Sequence, residues 1–291
     1  MFFRPRCIQA ARIGEALPMP IPWLLPLLAA PVVAAAFAVA WRVQVRTRNA
    51  GWVDVLWASS LGALAVVYAM GTNGWMGRRL LVALLAGTWS VRLAVHLSLR
   101  LAGEPEDGRY RTLREEWGLD HGPRMLGLFL AQAALALSLS LAFLIPMTDT
   151  TFGFRSTDYL ALALYLISFT GESVSDAQLS AWKRNPVNRG KTCRAGLWRF
   201  SRHPNYFFEW LHWFVYPLLA LGAPGGWLAF AAPALMVFLV LRVTGIPPAE
   251  AQSVRSRGED YRLYQRTTNA FLPGPPRPGV SSVPASEGPS Q

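Results

Sequence analysis

Glu172 and Asp176 stand one helical turn apart inside an apolar stretch, and Lys183 follows two turns further on. At 3.6 residues per turn the three share one face. An intramembrane carboxylate costs a few kcal/mol even on the gentlest scale, so such a face needs a cavity or a partner. A second polar face follows in Asn205, Glu209 and His212, spaced four and three apart behind Ser201-Arg202-His203-Pro204. Pro204 suits the first turn of a helix, where its missing N–H is not needed. The free amides of Asn205, Tyr206 and Phe207 then make a positive helix end, which attracts anions. Between the two faces runs a basic loop containing Lys183, Arg184, Asn188, Arg189, Lys191, Arg194, Arg199 and Arg202. That charge suits a phosphate-rich ligand. Topology rules alone would put some of it there, so its weight comes from the carboxylates on both flanking helices.

Other candidates lie outside these faces. Asp54, between Trp52 and Trp57, and Arg92, within an apolar run, either pair with each other or act on a substrate. His96, one turn after Arg92, reads as a packing or hydrogen-bonding residue. Glu250 follows Gly245-Ile246-Pro247-Pro248, and Tyr261 and Tyr264 lie three apart on one side of a short helix. These tyrosines either cap a cytoplasmic site or anchor an interface.

The elements that must position these residues are membrane helices. The 291 residues are 52% hydrophobic and 15% charged, far below the charge of an ordinary soluble domain. Seven segments approach the roughly 20 apolar residues a bilayer demands: 23–41, 53–70, 80–99, 125–145, 159–182, 206–221 and 227–245. The first follows Arg4, Arg6 and Arg12 but runs on to Arg42 without a small-residue cleavage site, so it reads as a helix and not a signal peptide. Seven spans put 21 of the 28 Lys and Arg on one side and 6 on the other, with Arg92 inside the third span. The positive side is cytoplasmic, which leaves the N-terminus outside. The expected organisation is a flexible segment 1–22, a membrane domain 23–273 and a disordered Pro/Ser-rich tail 274–291. The net charge of +11 sits in short loops, where lipid headgroups account for it without nucleic acid. Cys7 and Cys193 are too few for a disulfide framework, and four histidines without a cluster leave no metal site. No dinucleotide-binding glycine pattern or P-loop is present, so a nucleotide would have to be held by membrane helices and loops.

The run Gly196-Leu197-Trp198-Arg199-Phe200-Ser201-Arg202-His203-Pro204-Asn205-Tyr206-Phe207-Phe208-Glu209-Trp210 resembles the signature of the steroid 5-alpha-reductase superfamily. It is most similar to the bacterial branch, the domain-of-unknown-function 1295 membrane proteins. Further elements recur in order from about 42 to 273: Asn49 through Trp57, Trp89-Ser90-Val91-Arg92-Leu93, Asp176 through Lys183, Pro186 through Lys191, Gly245-Ile246-Pro247 and Tyr261 to Pro273. The resemblance implies an all-α, seven-helix fold in a bacterial inner membrane, with NADPH in a pocket open to the cytoplasm. It implies hydride transfer to the activated C=C bond of a lipophilic enone, steroid-like or otherwise, by a monomer surrounded by membrane lipids. On this resemblance Glu172, Asp176, Lys183, Asn188, Arg189, Lys191, Arg199, Arg202, His203, Asn205, Tyr206 and Glu209 serve the cofactor, with Glu250, Tyr261 and Tyr264 closing over it. Asp54, Trp89 and Arg92 fall to catalysis. Asp54 stands where the characterised steroid reductases carry a Glu, and Trp89 where they carry a Tyr. Two other readings stay open. Isoprenylcysteine carboxyl methyltransferases share a similar Arg-His-Pro-x-Tyr element and a nearby Glu, and bind S-adenosylmethionine. A transporter or lipid-binding protein would use the buried charges as an ion path.

Overall fold

The computed structural model describes residues 21–103, 106 and 108–277. The expectations for residues 1–20 and 278–291 lie outside the described residues. Every regular element among the described residues is helical. The longer ones are α1 (Ile21–Thr47), α2 (Trp52–Gly71), α3 (Met76–Gly103), α5 (His121–Met147) and α6 (Ser156–Arg184). Shorter ones are α4 (Gly108–Trp117), α7 (Pro204–His212), α8 (Val215–Ala220), α9 (Ala231–Arg242), α10 (Ile246–Arg257) and α11 (Glu259–Thr267).

Five helical stretches are long and apolar enough to cross a membrane: Pro22–Thr47, Trp52–Gly71, Met76–Ala102, Gly108–Met147 and Gly226–Arg257. The chain is therefore a multi-pass membrane protein. The expected segment 159–182 lies within α6, whose carboxylates keep it from reading as a purely apolar span. The segment 206–221 is two helices, α7 and α8, separated by a turn at Trp213 and Phe214. Helix α4 is amphipathic and falls in a region read from sequence as a loop.

The bilayer is written into α6. Tyr159, Leu160, Leu162, Leu166, Ile167 and Val174 are exposed, while Asp158, Ser168, Glu172, Ser175 and Asp176 are buried. A helix in water does the reverse; apolar outside and ionisable inside is the arrangement for lipid. The core gathers Phe37, Leu61, Tyr68, Trp89, Phe129, Phe143, Trp213 and Tyr216. Helices α2 and α3 approach closely through small residues, as membrane helices do. A Cβ on Gly62 would stand 2.5 Å from the Ser90 hydroxyl oxygen, and that hydroxyl instead donates to Ala58 O at 2.5 Å and accepts from the Gly62 N–H at 3.1 Å.

The chain direction sorts the polar residues to two ends. One end collects the starts of α2, α5 and α7, the ends of α3, α6 and α9, and the whole of α10 and α11. The other holds a buried ion network: Arg78 contacts Asp149 at 3.1 Å and Asp158 at 2.9 Å, and Arg155 also reaches Asp149.

Candidate functional site

The buried charges of the first end are organised by Arg92. From α3 its guanidinium reaches α6, donating to Glu172 Oε1 at 2.6 Å and to Asp176 Oδ2 at 2.5 Å. Trp89, one turn earlier, donates its indole N–H to Glu172 Oε2 at 3.1 Å. His96, one turn later, lies 3.7 Å from Asp176 Oδ2. Asn205, in the first turn of α7, donates to the other Asp176 oxygen at 3.2 Å. The sequence spacing that puts Glu172 and Asp176 on one face thus has its counterpart in Trp89, Arg92 and His96 on α3. Asp54 and Arg92 do not pair. Asp54 accepts from the Tyr110 hydroxyl at 2.7 Å and from Arg109 at 3.2 Å, both on α4. Trp89, expected at the chemistry, has no exposed surface; its ring is stacked 4.8 Å from His212, and it supports Glu172 from behind. The phenol that reaches Asp54 comes from Tyr110, a residue sequence reasoning left in a loop.

A cavity of about 620 Å³ opens beside this cluster, within the range of small-molecule sites. Its lining carries Arg100, Arg111, Lys183, Arg189, Lys191, Arg202 and Arg257 against one carboxylate, Glu106. Of the expected cofactor residues, Asn188, His203, Asn205, Tyr206, Tyr261 and Tyr264 also line it, as does Trp198. The basic loop is held against α6. Asn185 accepts the Val187 N–H at 3.1 Å and Asn188 donates to Trp182 O at 3.1 Å, which ends α6 in a tight turn. Gln178 then accepts the Leu197 N–H at 2.9 Å and the Trp198 indole donates to Ser175 O at 2.9 Å. Neither Gln178 nor Ser175 was singled out in the sequence.

Asp176 and Glu209, expected at the cofactor, line a second, smaller cavity instead, and three further expected cofactor residues line neither. Arg199 is exposed in the short turn before α7 and lines neither cavity. Glu172 lies beneath Arg92. Glu250 accepts from Arg202 Nε at 2.6 Å and from Gln265 at 2.8 Å, with His203 at 3.3 Å. Arg202 also donates to Gln265 O at 3.0 Å and to Thr268 O at 2.5 Å. Its guanidinium is therefore a clamp on α10 and α11 more than a free cation. Main-chain bonds continue the clamp: Arg202 N–H to Asn269 O and Gly274 N–H to Phe200 O, each at 2.9 Å. The Tyr264 hydroxyl donates to Trp198 O and Ser201 O. Asp260 accepts the Thr192 N–H at 2.7 Å and Arg194 at 2.7 Å; burial raises its carboxyl, but these donors outweigh that and leave it below its ordinary value. Burial likewise holds the His203 imidazole below its usual range against the pull of Glu250.

A second cavity of about 190 Å³ adjoins the first, and Arg100, Asn205 and Tyr206 line both. Its wall carries the polar residues Asp54, Asp176, Glu209, His96 and Arg109 together with the apolar Trp57, Leu93, Leu135, Met236 and Leu239. Cations outnumber carboxylates seven to one in the larger cavity, whereas in the smaller Asp54, Asp176 and Glu209 meet Arg100 and Arg109.

A helical membrane protein with two adjoining cavities at one end defines the class. Within it, the chain belongs to the family described as "Protein of unknown function (DUF1295)", whose profile matches residues 40–268. It is similar to an uncharacterized protein of Schizosaccharomyces pombe, 27% identical over 276 residues, covering 81% of this chain and 76% of the relative. No solved structure matches.

Proposed function

We propose that this protein is a membrane reductase of the steroid 5-alpha-reductase type, using NADPH to reduce the activated C=C bond of a lipophilic enone. The observation that carries this reading is the pairing of a cation-lined cavity with a smaller, partly apolar one of nearly balanced charge, with Arg100, Asn205 and Tyr206 lining both. The residues fit a phosphate-bearing nucleotide. Lys183, Arg189 and Lys191 stand along the larger cavity on the loop after α6, and Asn188 adds an amide there. Tyr206, Tyr261 and Tyr264 give aromatic surface. When bound, NADPH would supply a hydride to the β-carbon, with a proton added at the α-carbon, so that the alkene is reduced as the cofactor is oxidised. Asp54 lines the cavity proposed for the substrate, its carboxyl held in place by Tyr110 and Arg109, and is the candidate group for meeting charge that develops on the substrate carbonyl oxygen. Arg92 and Asn205 fix Asp176 on the wall of the smaller cavity.

In this reading α1, α2, α3, α5, α6, the α7–α8 pair and α9 make seven spans. The N-terminus is outside, and the two-cavity end faces the cytoplasm of a bacterium, as the Lys and Arg distribution suggests. The protein acts as a monomer among lipids. S-adenosylmethionine has no phosphate and needs fewer cations than the basic loop offers, which favours the reductase over the methyltransferase.

Purified protein in detergent should bind NADPH with micromolar or better affinity and S-adenosylmethionine far more weakly. Lys183→Gln and Lys191→Gln should each weaken NADPH binding at least about tenfold, the loss of one charge-assisted contact. A wild type that binds no NADPH, or Lys183→Gln and Lys191→Gln variants that bind it as tightly as wild type, rejects the reading.

A further inference from the structure

Helix α5 is apolar along nearly all its length, yet Gln132 stands inside it, three turns past its start. Its side chain lines the smaller cavity together with Leu135, one turn on. Gln132 makes no hydrogen bond to any other described residue, whereas the neighbouring polar side chains Ser138 and Ser140 on α5 each donate to their own helix backbone. An amide in a membrane helix normally finds a partner on another helix or faces a cavity. Here no described residue is the partner, and the cavity is where the amide reaches. Asp54 and Asp176, on the same wall, already have donors from Tyr110, Arg109, Arg92 and Asn205. They are held by the protein, and Gln132 is not.

We propose that Gln132 is a specificity-determining residue, whose side-chain N–H donates to the carbonyl oxygen of the lipophilic substrate in the smaller cavity; this rests on the reductase reading above. The charge of the cavity supports an uncharged oxygen there. Its three carboxylates stand with Arg100 and Arg109, and Asp54 and Asp176 are already paired with arginines, so the lining has no charge excess that calls for a charged headgroup. Leu135 and Met236 beside the amide suit an apolar body behind a single polar terminus. The substrate class is then a neutral, membrane-soluble ketone with its double bond conjugated to the carbonyl, in preference to a fatty acid or a phospholipid.

The test uses the full-length protein in detergent with NADPH, progesterone as the enone probe and the matching steroid lacking the 3-oxo group as a competitor. Turnover is followed by NADPH oxidation, and Gln132→Leu is compared with Gln132→Glu and wild type. Gln132→Leu should raise KM for progesterone about tenfold, the loss of one buried hydrogen bond, with NADPH affinity unchanged. Inhibition by the deoxo competitor should stay within about twofold of wild type, since that molecule offers Gln132 nothing. Gln132→Glu, which replaces the donor with another carboxyl of the same shape, should impair KM at least as much. A progesterone KM within about twofold of wild type in Gln132→Leu overturns the assignment, as does wild-type protein that binds NADPH but does not turn progesterone over. Wild-type protein that binds no NADPH rejects the reductase reading, and the assignment with it.

Discussion

Arg92 is the residue on which the buried charge of the site balances. It touches Glu172 and Asp176 at once, and its own side chain is only 14% exposed. Replacing it with Leu leaves two carboxylates facing each other in a membrane interior, which should cost about 3–5 kcal/mol of stability, the usual result of breaking a buried pair from one side. Thermal unfolding in detergent measures this, and Arg92→Leu with Glu172→Leu should recover part of the loss. Asp54 provides a control. Because it pairs with Tyr110 and Arg109 and not with Arg92, the effects of Asp54→Asn and Arg92→Leu should add within about 0.5 kcal/mol. Strong coupling between them would contradict the geometry. The sequence made Glu172, Asp176 and Asn205 legible because i, i+4 spacing survives folding. It could not show which cation meets which carboxylate. Asp54 lies 55 residues from Arg109, and only the return of α4 across the start of α2 brings them together.

Helices α10 and α11 owe their position to a few polar contacts, since their sequence is too hydrophilic to bury much. Arg202 and Glu250 sit at the centre of those contacts, 10% and 15% exposed. Arg202→Gln should therefore loosen α10 and α11 before it affects anything else, raising protease cleavage between Gly258 and Thr268 and destabilising the fold by about 2–5 kcal/mol. Lys183→Gln, by contrast, should leave the cleavage pattern as in wild type. Equal cleavage in wild type and Arg202→Gln would show that the clamp does not hold these helices. The contrast separates two cations that look alike in the basic loop and that the family resemblance assigns to one ligand. Gly258 has φ 57° and ψ −129°, a conformation open to glycine, and it turns the chain so that α11 folds back with Tyr261 and Tyr264 buried. Hydropathy located α1, α2, α3, α5 and α9 because each presents an apolar run to lipid. It missed α4, whose face is set by tertiary contact, and it ran α7 and α8 together because the turn at Trp213 and Phe214 changes direction without changing composition.

The molecule as a whole is polar at both ends in different ways. At the end away from the cavities, Arg78 is fully buried and tied to Asp149 and Asp158, and Arg155 closes the network on Asp149. Burial raises the Asp149 carboxyl, but Arg155 and Thr151 outweigh it and hold it below its ordinary value. These cations are matched by carboxylates. At the other end the cations outnumber them, with seven to one around the larger cavity. Lys and Arg retain a short loop in the cytoplasm largely regardless of the carboxylates beside them, so the cation-rich end predicts the orientation independently of any count of spans. Two exposed positions test it. Val187 is 72% exposed at the cavity end and Phe152 is 86% exposed at the opposite end. In a background with Cys7→Ser and Cys193→Ser, Phe152→Cys should react with a membrane-impermeant maleimide on intact spheroplasts, whereas Val187→Cys should react only after the membrane is opened. The reverse pattern would place the cavities outside the cell. A cytosolic nucleotide could not then reach the larger one, and the reductase reading would fall with the topology.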